Sequence, residues 1–450
     1  MSYRNKTLAA AVSAACLFAL AQPASAKLSD AEIAKLGQEL TPIGAEKAGN
    51  SAGTIPAWTG GMTAPPSGWS GKAYTDPFPD DKPKFTITAA NAAQYAANLS
   101  EGQMALLKKY DNYKINVYET RRTGAYKQEI YDNAKAEAGR IELVGFGVSG
   151  RDKSTVPFPI PKSGMEAIWN HTLRYVGGGL QKAYHSFPVR SSGDYYKIGA
   201  VEIRIFNENM DKQVDNRLLN YMNYFTGPAT LEGTVFLVHE PVDQVKEQRA
   251  AWIYNAGQRR VRRAPDLNYD NFNDGTEGLR TTDQYDAYNG APDRYDWKII
   301  GKKEIYVPQN AYRLGDKSTK YEDILTKNTP NGDFIRYELR RVWVLEATLK
   351  KGSKHIYGKR NFYLDEDSWT VNMEDCFDTR GNLWRVSIHP MMQFYDAVFP
   401  WHRSNIWHDL SNGAYLMQGL DNEMTSKWEF GKKGNLADFQ PSALRRAGTK

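Results

Sequence analysis

The sequence predicts a mainly β fold, in which one large curved antiparallel sheet or incomplete barrel is covered by a few helices and a long amino-terminal strap. Two observations lead to this prediction. From about residue 114 onward, apolar and polar residues alternate with period two between short turns rich in glycine, asparagine and aspartate, as in hairpin-connected strands. Aromatic residues are also abundant, with 27 Tyr, 17 Phe and 11 Trp, and such residues favour strands.

Residues 1–26 have the three parts of a cleavable secretion signal. The segment begins with two basic residues and no acid, continues with an apolar stretch over residues 8–21, and ends in an Ala-x-Ala pattern at Ala26. Signal peptidase recognises small residues at these positions, so cleavage is predicted after Ala26, with Lys27 as the new amino terminus. The apolar stretch is shorter than the ~20 residues that a permanent membrane span needs. The chain is therefore predicted to be exported from the cytoplasm.

The composition of the predicted mature chain excludes several classes of protein. Loss of the signal removes Arg4 and Lys6, so the 58 basic residues become 56, against 52 acidic residues. A nearly neutral chain of this size lacks the excess of basic residues that is typical of nucleic-acid binding, and it is not strongly attracted to a charged membrane surface. Cys376 is its single cysteine, which excludes an intramolecular disulfide, and no further apolar stretch approaches membrane-spanning length. Stability must therefore come from a large core.

Three segments follow the signal. The amino-terminal strap (residues 27–87) is punctuated by glycine and proline and is predicted to lie across a surface as an ordered loop. The β-rich domain (residues 88–420) opens with a helix over residues 88–110, which the pair Ser100-Glu101 can divide into two. The carboxy-terminal tail (residues 421–450) is predicted to contain little helix.

The clearest strand prediction covers residues 335–349, about 50 Å long at ~3.3 Å per residue. Its odd positions are apolar apart from Arg341, and its even positions are mainly polar. A charge within an apolar row is costly unless it is paired or reaches water or a ligand head group. Two interpretations follow. In a packed core an acid must pair with Arg341, whereas in a ligand cavity Arg341 stands at the polar mouth with Trp343 deeper inside. We favour the cavity.

A second basic feature is the group Arg259-Arg260-Val261-Arg262-Arg263, which follows an apolar strand across a turn and is expected on the returning strand. Alternation places Arg260 and Arg262 on one face and the other three residues on the opposite face. Guanidinium groups bind phosphate and carboxylate, so the four arginines are candidate contacts for anionic head groups or an acidic partner. Solubilising charge on an edge strand is the alternative interpretation.

Familiar catalytic and metal-binding motifs are absent from the sequence. It has no Gly-x-Ser-x-Gly elbow, no His-Glu-x-x-His pattern, no phosphate-binding loop and no Cys-x-x-Cys pair. No catalytic residue, metal or other cofactor is therefore predicted. A hydrolase acting on glycan or lipid would instead need two acids that face each other across a cleft. The candidates for such a pair are Glu338, Glu346, Asp365 and Asp367.

Several stretches taken together resemble one protein family. They include Gly53-Thr-Ile-Pro-Ala-Trp-Thr-Gly-Gly61, Pro157-Phe-Pro-Ile-Pro161 and Glu166-Ala-Ile-Trp-Asn-His171, with further matches in residues 40–50, 76–83 and 290–297. Over nearly its whole mature length the chain is similar to the family called domain of unknown function 1329, secreted proteins of Gram-negative bacteria. More distantly, residues 251–263 and 362–384 resemble the fold of periplasmic lipoprotein carriers, an incomplete barrel around a helix-plugged hydrophobic cavity that holds acyl chains.

This resemblance implies a function without catalysis in the periplasm. We expect a binding or carrier protein for a hydrophobic or lipid-like molecule, with an inner-membrane exporter of the resistance–nodulation–division type as a candidate partner. Nucleic acid, cofactors and a transmembrane segment of the mature chain are not expected to take part. A periplasmic hydrolase and a structural part of an envelope assembly are the alternatives. The residues predicted to line the ligand site are Trp252, Tyr254, Tyr337, Leu339, Arg341, Trp343 and Leu345.

The signal prediction has a direct test. Amino-terminal sequencing of the protein recovered from a periplasmic extract should begin at Lys27 or within a residue or two, because cleavage follows the Ala-x-Ala pattern. An intact form that begins at Met1 and stays in the membrane fraction would contradict it.

Overall fold

The computed structural model describes residues 27–265, 267 and 269–448. The predicted signal segment, including Ala26, lies outside the described residues, and Lys27 is the first residue described. One sheet of 16 strands and two small two-stranded sheets form the framework. The first ten strands are β1 (Phe85–Ile87), β2 (Ile115–Val117), β3 (Glu142–Val144), β4 (Gly147–Ser149), β5 (Gly179–Val189), β6 (Ile198–Phe206), β7 (Arg217–Gly227), β8 (Val235–Pro241), β9 (Ala250–Asn255) and β10 (Arg260–Arg263). The remaining strands are β11 (Tyr295–Pro308), β12 (Arg336–Leu349), β13 (Lys359–Asp365), β14 (Val371–Phe377), β15 (Leu383–Ile388), β16 (Met391–Phe394), β17 (Phe399–His402), β18 (Asn405–Asp409), β19 (Tyr415–Leu420) and β20 (Glu429–Phe430).

The main sheet is open and does not close into a barrel. Strands β5 to β10 pair with their neighbours in sequence, and β5 also pairs with β19, from which the sheet continues through β18, β15, β14 and β13 to β12. Strand β11 pairs along β12, so β10 and β11 are separate ends of this series, and residues 264–294 connect them. Among the described strands, the pairing of β12 with β2 is parallel and the others are antiparallel. The predicted mainly β fold with one large, unclosed sheet is confirmed.

The helices are few and short. They are α1 (Asp30–Lys35), α2 (Glu101–Lys109), α3 (Gln128–Glu137), α4 (Gly164–Leu173), α5 (Tyr321–Ile324) and α6 (Leu444–Ala447). None of the helices in the described part of the chain is long and apolar enough to cross a membrane.

The helix predicted over residues 88–110 is divided at the Ser100-Glu101 pair, into the 3₁₀ helix Ala92–Asn98 and α2. Ser100 caps α2, because its hydroxyl accepts a hydrogen bond from the backbone N–H of Gln103 at 3.0 Å. The same hydroxyl donates to Asp375 of β14 at 3.1 Å, and the phenol of Tyr363 donates to the other oxygen of Asp375 at 3.0 Å. The start of α2 is thereby attached to a fully buried carboxyl group in the sheet.

The long strand β12 differs from its prediction because both of its faces are buried. Its even-numbered, polar residues Arg336, Glu338 and Arg340 are at most 5% exposed. Arg336 donates to Glu338 at 2.8 Å, and Arg340 donates to Asp367 at 2.7 Å. Asp81 of the strap lies 2.8 Å from Arg336. The strap can cover this polar face because each charge on it meets an opposite charge.

Hydrogen bonds to main-chain carbonyls attach the strap to the β-rich domain. The indole of Trp369 donates to the carbonyl of Ile43 at 2.8 Å, and that of Trp58 donates to the carbonyl of Gly124 at 3.1 Å. Gly44 has a φ of +94°, and a Cβ atom there would lie 1.6 Å from a backbone oxygen of Pro159. This close approach requires glycine.

The carboxy-terminal tail covers one face of strands β6 to β9. Its residues Phe439 and Leu444 are buried with Leu237 and Tyr254 of the sheet, and the imidazole of His239 lies 2.7 Å from the carbonyl of Phe439. Short 3₁₀ turns and α6 are the helical parts described for this segment. The tail is thus part of the packed structure.

Trp343 gives a test of core packing. Its ring stacks on Trp369 with centroids 5.8 Å apart and planes 16° apart, and it is half-buried. Replacing it with alanine should lower the free energy of unfolding by about 3 kcal/mol, because packed aromatic surface is lost and a void forms. Chemical denaturation would measure the loss. Trp343→Phe, which keeps a stacked ring, should cost less than half as much, and equal stability of all three proteins would contradict this packing.

Asp375 gives a test by pH. Burial raises the pKa of Asp375 to about 6, while the hydrogen bonds from Gly102, Tyr363 and Ser100 oppose the shift. The folded state therefore binds the proton more tightly than the unfolded state, whose aspartate has a pKa near ~3.9, and stability should fall as pH rises from about 4 to about 6. Asp375→Asn should remove the contribution of this residue to the slope and raise the free energy of unfolding at pH 7 by about 1–3 kcal/mol.

Urea titrations between pH 4 and pH 7.5 would measure the effect. The exposed Asp111→Asn provides the control, and we expect it to keep the wild-type slope. A shallower decline toward low pH in Asp375→Asn than in the parent would contradict the assignment.

Candidate ligand-binding cavity

A cavity of about 90 Å³ lies between strands β5 to β8 and residues 264–294, here called the covering loop. The loop joins the free-edge strands β10 and β11 and crosses the face of the sheet opposite to the carboxy-terminal tail. One water-sized group occupies about 10–15 Å³ of such space, so the cavity has room for several of them.

Apolar residues of three adjacent strands form the floor of the cavity. Strand alternation turns every second residue to the same face, and cross-strand register brings them side by side. Ala200 lies opposite Phe225, and Tyr221 lies opposite Val238. The apolar floor residues are Ile198, Ala200, Leu219, Phe225, Phe236 and Val238.

The covering loop approaches this floor closely at Gly275. Its φ is +77°, and a Cβ atom added there would lie 3.3 Å from the ring of Phe225 and 3.4 Å from Ile198. A larger residue would be strained by the backbone and would press on the floor. Gly275 therefore lets the main chain of the loop form the ceiling of the cavity.

Arg280 of the covering loop is the charged residue that sets the chemistry of the cavity. It is 5% exposed, and its Nε and Nη1 atoms have no hydrogen-bond partner among the described residues. Burial lowers the pKa of Arg280, although Tyr221, Tyr184 and Tyr285 and the carboxylate of Glu202 oppose the shift. A guanidinium group keeps its charge even so, because its ordinary pKa is above 12.

The polar groups around Arg280 are mostly committed to other partners. The phenol of Tyr184 donates to Asn223 at 3.1 Å, and Tyr285 donates to Glu202. Glu202 also lies 3.3 Å from the ammonium group of Lys182. The charge of Glu202, the acid that acts on Arg280, is thus already compensated by Lys182.

A buried ion pair attaches the covering loop to the sheet beside the cavity. Arg249 donates to Glu240 of β8 at 2.7 Å and to the backbone and side chain of Asn289 at 2.6 and 2.8 Å. Burial raises the pKa of Glu240, and the charge of Arg249 opposes that shift. Glu240 and Arg249 both line the cavity, and their charges cancel.

The second half of the loop is attached to other strands of the same sheet, β13 and β14. Asp283 lies 2.6 Å from Arg360 of β13, and Gln284 donates to Glu374 of β14 at 2.7 Å. Burial by itself would raise the pKa of Asp283, but Arg360 and His355 outweigh it and hold the pKa well below its usual range. The loop is therefore tied to strands on both sides of the cavity.

The residues predicted to line a ligand site are divided among three packed clusters. Trp252 and Tyr254 lie on the face of β9 that the carboxy-terminal tail covers, opposite to the cavity. Tyr337 and Leu339 are buried in a cluster with α2 and the strands beside it, and Leu345 is buried in the cluster that surrounds α4. Trp343 packs at the margin of that last cluster. The structure does not bring these residues together.

Arg341 has the partners that a packed core requires. Its guanidinium donates to Glu366 at 3.2 Å and to the carbonyl of Ala48 in the strap at 2.9 Å. Glu366 also accepts from Lys302 at 3.1 Å. Of the two interpretations of Arg341, the observed contacts fit the packed core, because an acid and a main-chain oxygen satisfy the charge.

The arginine group lies at the free edge of the sheet, and all four residues of β10 are exposed. Arg260 and Arg262 pair with Asn255 and Ile253, on the cavity side of the strand, as alternation predicted. Arg263 lies on the opposite side, with its guanidinium 4.7 Å from the ring centre of Trp252. Arg259 occupies the turn with a φ of +51°. Their role as anion contacts stays a prediction.

The four acids considered for a hydrolase do not form an open pair. Glu338, Asp365 and Asp367 are at most 4% exposed, and Arg340 lies within 3.5 Å of each of them. Burial raises the pKa of Asp365 to about 6, whereas arginines hold the pKa of Asp367 low against the effect of burial. Glu346, on β12, pairs in register with Lys298. Among the described residues, no group of three or more His, Cys, Asp or Glu could hold a metal ion.

Sequence reasoning missed the covering loop and Arg280. Residues 264–294 have no helical or strand periodicity, so pattern analysis yields no face and no burial for them. A connection of this length without regular structure is nevertheless uncommon in a compact domain and often has a function, which is the signal that could have drawn attention to it.

A family model matches most of the chain. The family model described as "Protein of unknown function (DUF1329)" matches residues 86–445. The chain is 44% identical over 439 residues to the "Uncharacterized protein PA3922" of Pseudomonas aeruginosa, covering 96% of each chain. A putative outer membrane lipoprotein-sorting protein domain from Vibrio parahaemolyticus matches with TM-score 0.42 and 16% identity, over 60% of this chain and 93% of that one. A DUF1329 family protein from Desulfovibrio piger matches with TM-score 0.40 and 15% identity, over 60% and 92%. The family match and the Pseudomonas relative together assign the chain to the DUF1329 family.

Proposed function

We propose that this protein is a non-catalytic periplasmic binding or carrier protein for a hydrophobic or lipid-like molecule, which it holds beneath the covering loop. The observation that supports this most directly is the cavity itself. Its floor is largely apolar over strands β6 to β8, and polar side chains line it from both the sheet and the loop, among them Asn223, Glu240 and Arg280. An apolar concave site with a small number of placed polar groups is the usual design of a site for small molecules.

The energetic basis is the removal of apolar ligand surface from water. Burial of one methylene group contributes about 0.8 kcal/mol, so a chain of ten would contribute about 8 kcal/mol before the costs of association. That is enough for binding without any covalent step.

The covering loop must move to admit such a ligand, because small-molecule pockets commonly measure about 300–1,000 Å³ and this cavity is smaller. Movement of the part above the floor need not break the buried ion pairs, but it must release Glu277 from the phenol of Tyr196, which donates a hydrogen bond to it. The turn from Asn273 to Thr276 is closed by a hydrogen bond within the turn. The hydroxyl of Thr276 donates to the carbonyl of Asn273 at 2.7 Å. The loop is tied to the sheet farther along, at Asp283 and Asn289.

The exposed arginines of β10 fit this proposal as a first contact for an anionic ligand or membrane. Arg260 and Arg262 lie on the cavity side of the free edge, at the end of the sheet where the covering loop begins. An inner-membrane exporter of the resistance–nodulation–division type is the candidate partner, on the strength of the sequence resemblance. The hydrolase alternative has less support, because its buried acids are engaged by Arg340.

Val238→Phe tests the proposed site. The larger side chain should fill the cavity floor and lower the affinity for the neutral fluorescent probe N-phenyl-1-naphthylamine at least tenfold, because the probe and the new ring compete for the same space. Fluorescence titration of the purified protein would measure the affinity, and mass spectrometry of an organic extract would identify any co-purified lipid.

Val245→Phe is the matched control, since Val245 is 51% exposed and does not line the cavity. It should bind the probe as the parent does. A parent protein with no saturable probe binding and no extractable lipid would argue against a carrier.

A further inference from the structure

The buried arginines of this protein fall into two groups by their contacts. Arg340 lies within 3.2 Å of both Asp365 and Asp367, and Arg341 is held by Glu366. Arg280 is as deeply buried, yet none of the described residues forms an ion pair or a hydrogen bond with its Nε and Nη1 atoms. An unpaired buried charge costs several kcal/mol, so such a group is expected to have a partner in the working state of the protein.

The acids that line or adjoin the cavity cannot supply that partner without breaking other pairs. Glu240 is engaged by Arg249 at 2.7 Å, and Glu202 lies between Lys182 and Tyr285. Asp274 lines the cavity but is exposed to solvent. Among the described residues, no buried acid beside the cavity is free to pair with Arg280, which favours a partner from outside the chain.

The surroundings of Arg280 favour an oxyanion over other partners. Its guanidinium carbon lies 5.4 Å from the ring centre of Trp407, whose indole nitrogen also has no hydrogen-bond partner. Unused N–H donors are thus found on two neighbouring side chains. Carboxylate and phosphate oxygens are the acceptors that a guanidinium fork binds best, by two parallel charge-assisted hydrogen bonds.

We infer that the ligand of this cavity is an anionic amphiphile, whose carboxylate or phosphate head binds Arg280 and whose apolar chain lies along the floor near Phe225 and Phe236. This inference rests on the proposed function and adds the chemical class of the ligand. The head group is held beneath the loop and the chain contacts the sheet, so the two parts of the ligand meet the two walls of the cavity. A neutral lipid would leave Arg280 unpaired.

Isothermal titration of the full mature protein with matched probes tests the inference. The probes are dodecanoate, dodecyl phosphate, dodecanol, and the chainless anions acetate and inorganic phosphate. The parent should bind the two chain-bearing anions at least tenfold more tightly than dodecanol, a difference of about 1.4 kcal/mol. Arg280→Met should abolish this preference, whereas Arg280→Lys should keep part of it. The better of the two chain-bearing anions identifies the head group.

Thermal unfolding separates a ligand contact from a structural one. Without ligand, Arg280→Met should melt at the same temperature as the parent or higher, because an unpaired buried charge has been removed. The control Arg380→Gln, whose side chain is 83% exposed, should match the parent in both measurements.

Each other outcome overturns a stated part of the proposal. Equal binding of dodecanol and dodecanoate, unchanged in Arg280→Met, would refute the anionic head and leave the carrier function standing. Binding of acetate or inorganic phosphate as tight as that of the chain-bearing anions would mean a site for free anions. A sharp fall in the melting temperature of both Arg280 variants would make the residue structural. No binding of any probe would refute the carrier function itself.

Discussion

The buried ion pair between Arg360 and Asp283 is the interaction on which the position of the covering loop depends. Arg360 is fully buried in β13, and it also binds Glu374 of the adjacent strand. Withdrawal of Asp283 would leave part of the charge of Arg360 uncompensated inside the protein, which is among the most costly changes that a folded chain can make. The loop is therefore held against the sheet, and the cavity exists because the loop is held there while Gly275 allows it to pass close to the floor.

The same electrostatic rule shapes the rest of the molecule. The polar face of β12 is buried because Arg336 and Arg340 meet Glu338 and Asp367, which lets the strap pack against it. Arg341 is likewise satisfied by Glu366. These pairs do not by themselves make the protein more stable than an apolar interior of the same shape would. They require instead that each charge meets one particular partner, and so they define which segments can lie on the sheet.

Arg280 departs from this rule, and the proposed ligand site rests on that departure. The interior is otherwise arranged so that guanidinium groups near the loop have carboxylate partners, as Arg249 has Glu240 and Arg360 has Asp283. A single donor group without such a partner, above an apolar floor, is the arrangement expected where the missing partner arrives with a ligand. In this proposal the covering loop combines two roles, since one part of it is tied to the sheet and the part above the floor lifts to admit the ligand.

The strands could be predicted from the sequence because the alternation of apolar and polar residues along a strand is a local property. Alternation correctly grouped Arg260 with Arg262 and placed β12 within one residue of its observed start. It states which residues share a face, but it does not state what covers that face. Trp252 and Tyr254 were predicted to line a ligand site, and they share a face, yet the carboxy-terminal tail covers that face and the cavity lies on the other side.

The sequence by itself thus determined the family, the mainly β class and the identity of the residues on each side of a strand. The tertiary structure alone decided which side encloses the cavity, which of the fully buried arginines find a carboxylate, and that Arg280 has none among the described residues. The physical reason is that partners in this fold come from distant parts of the chain, as Asp283 does for Arg360 and Asp367 does for Arg122. Local patterns record the spacing of side chains along one strand, whereas burial and charge pairing are properties of segments that meet only after folding.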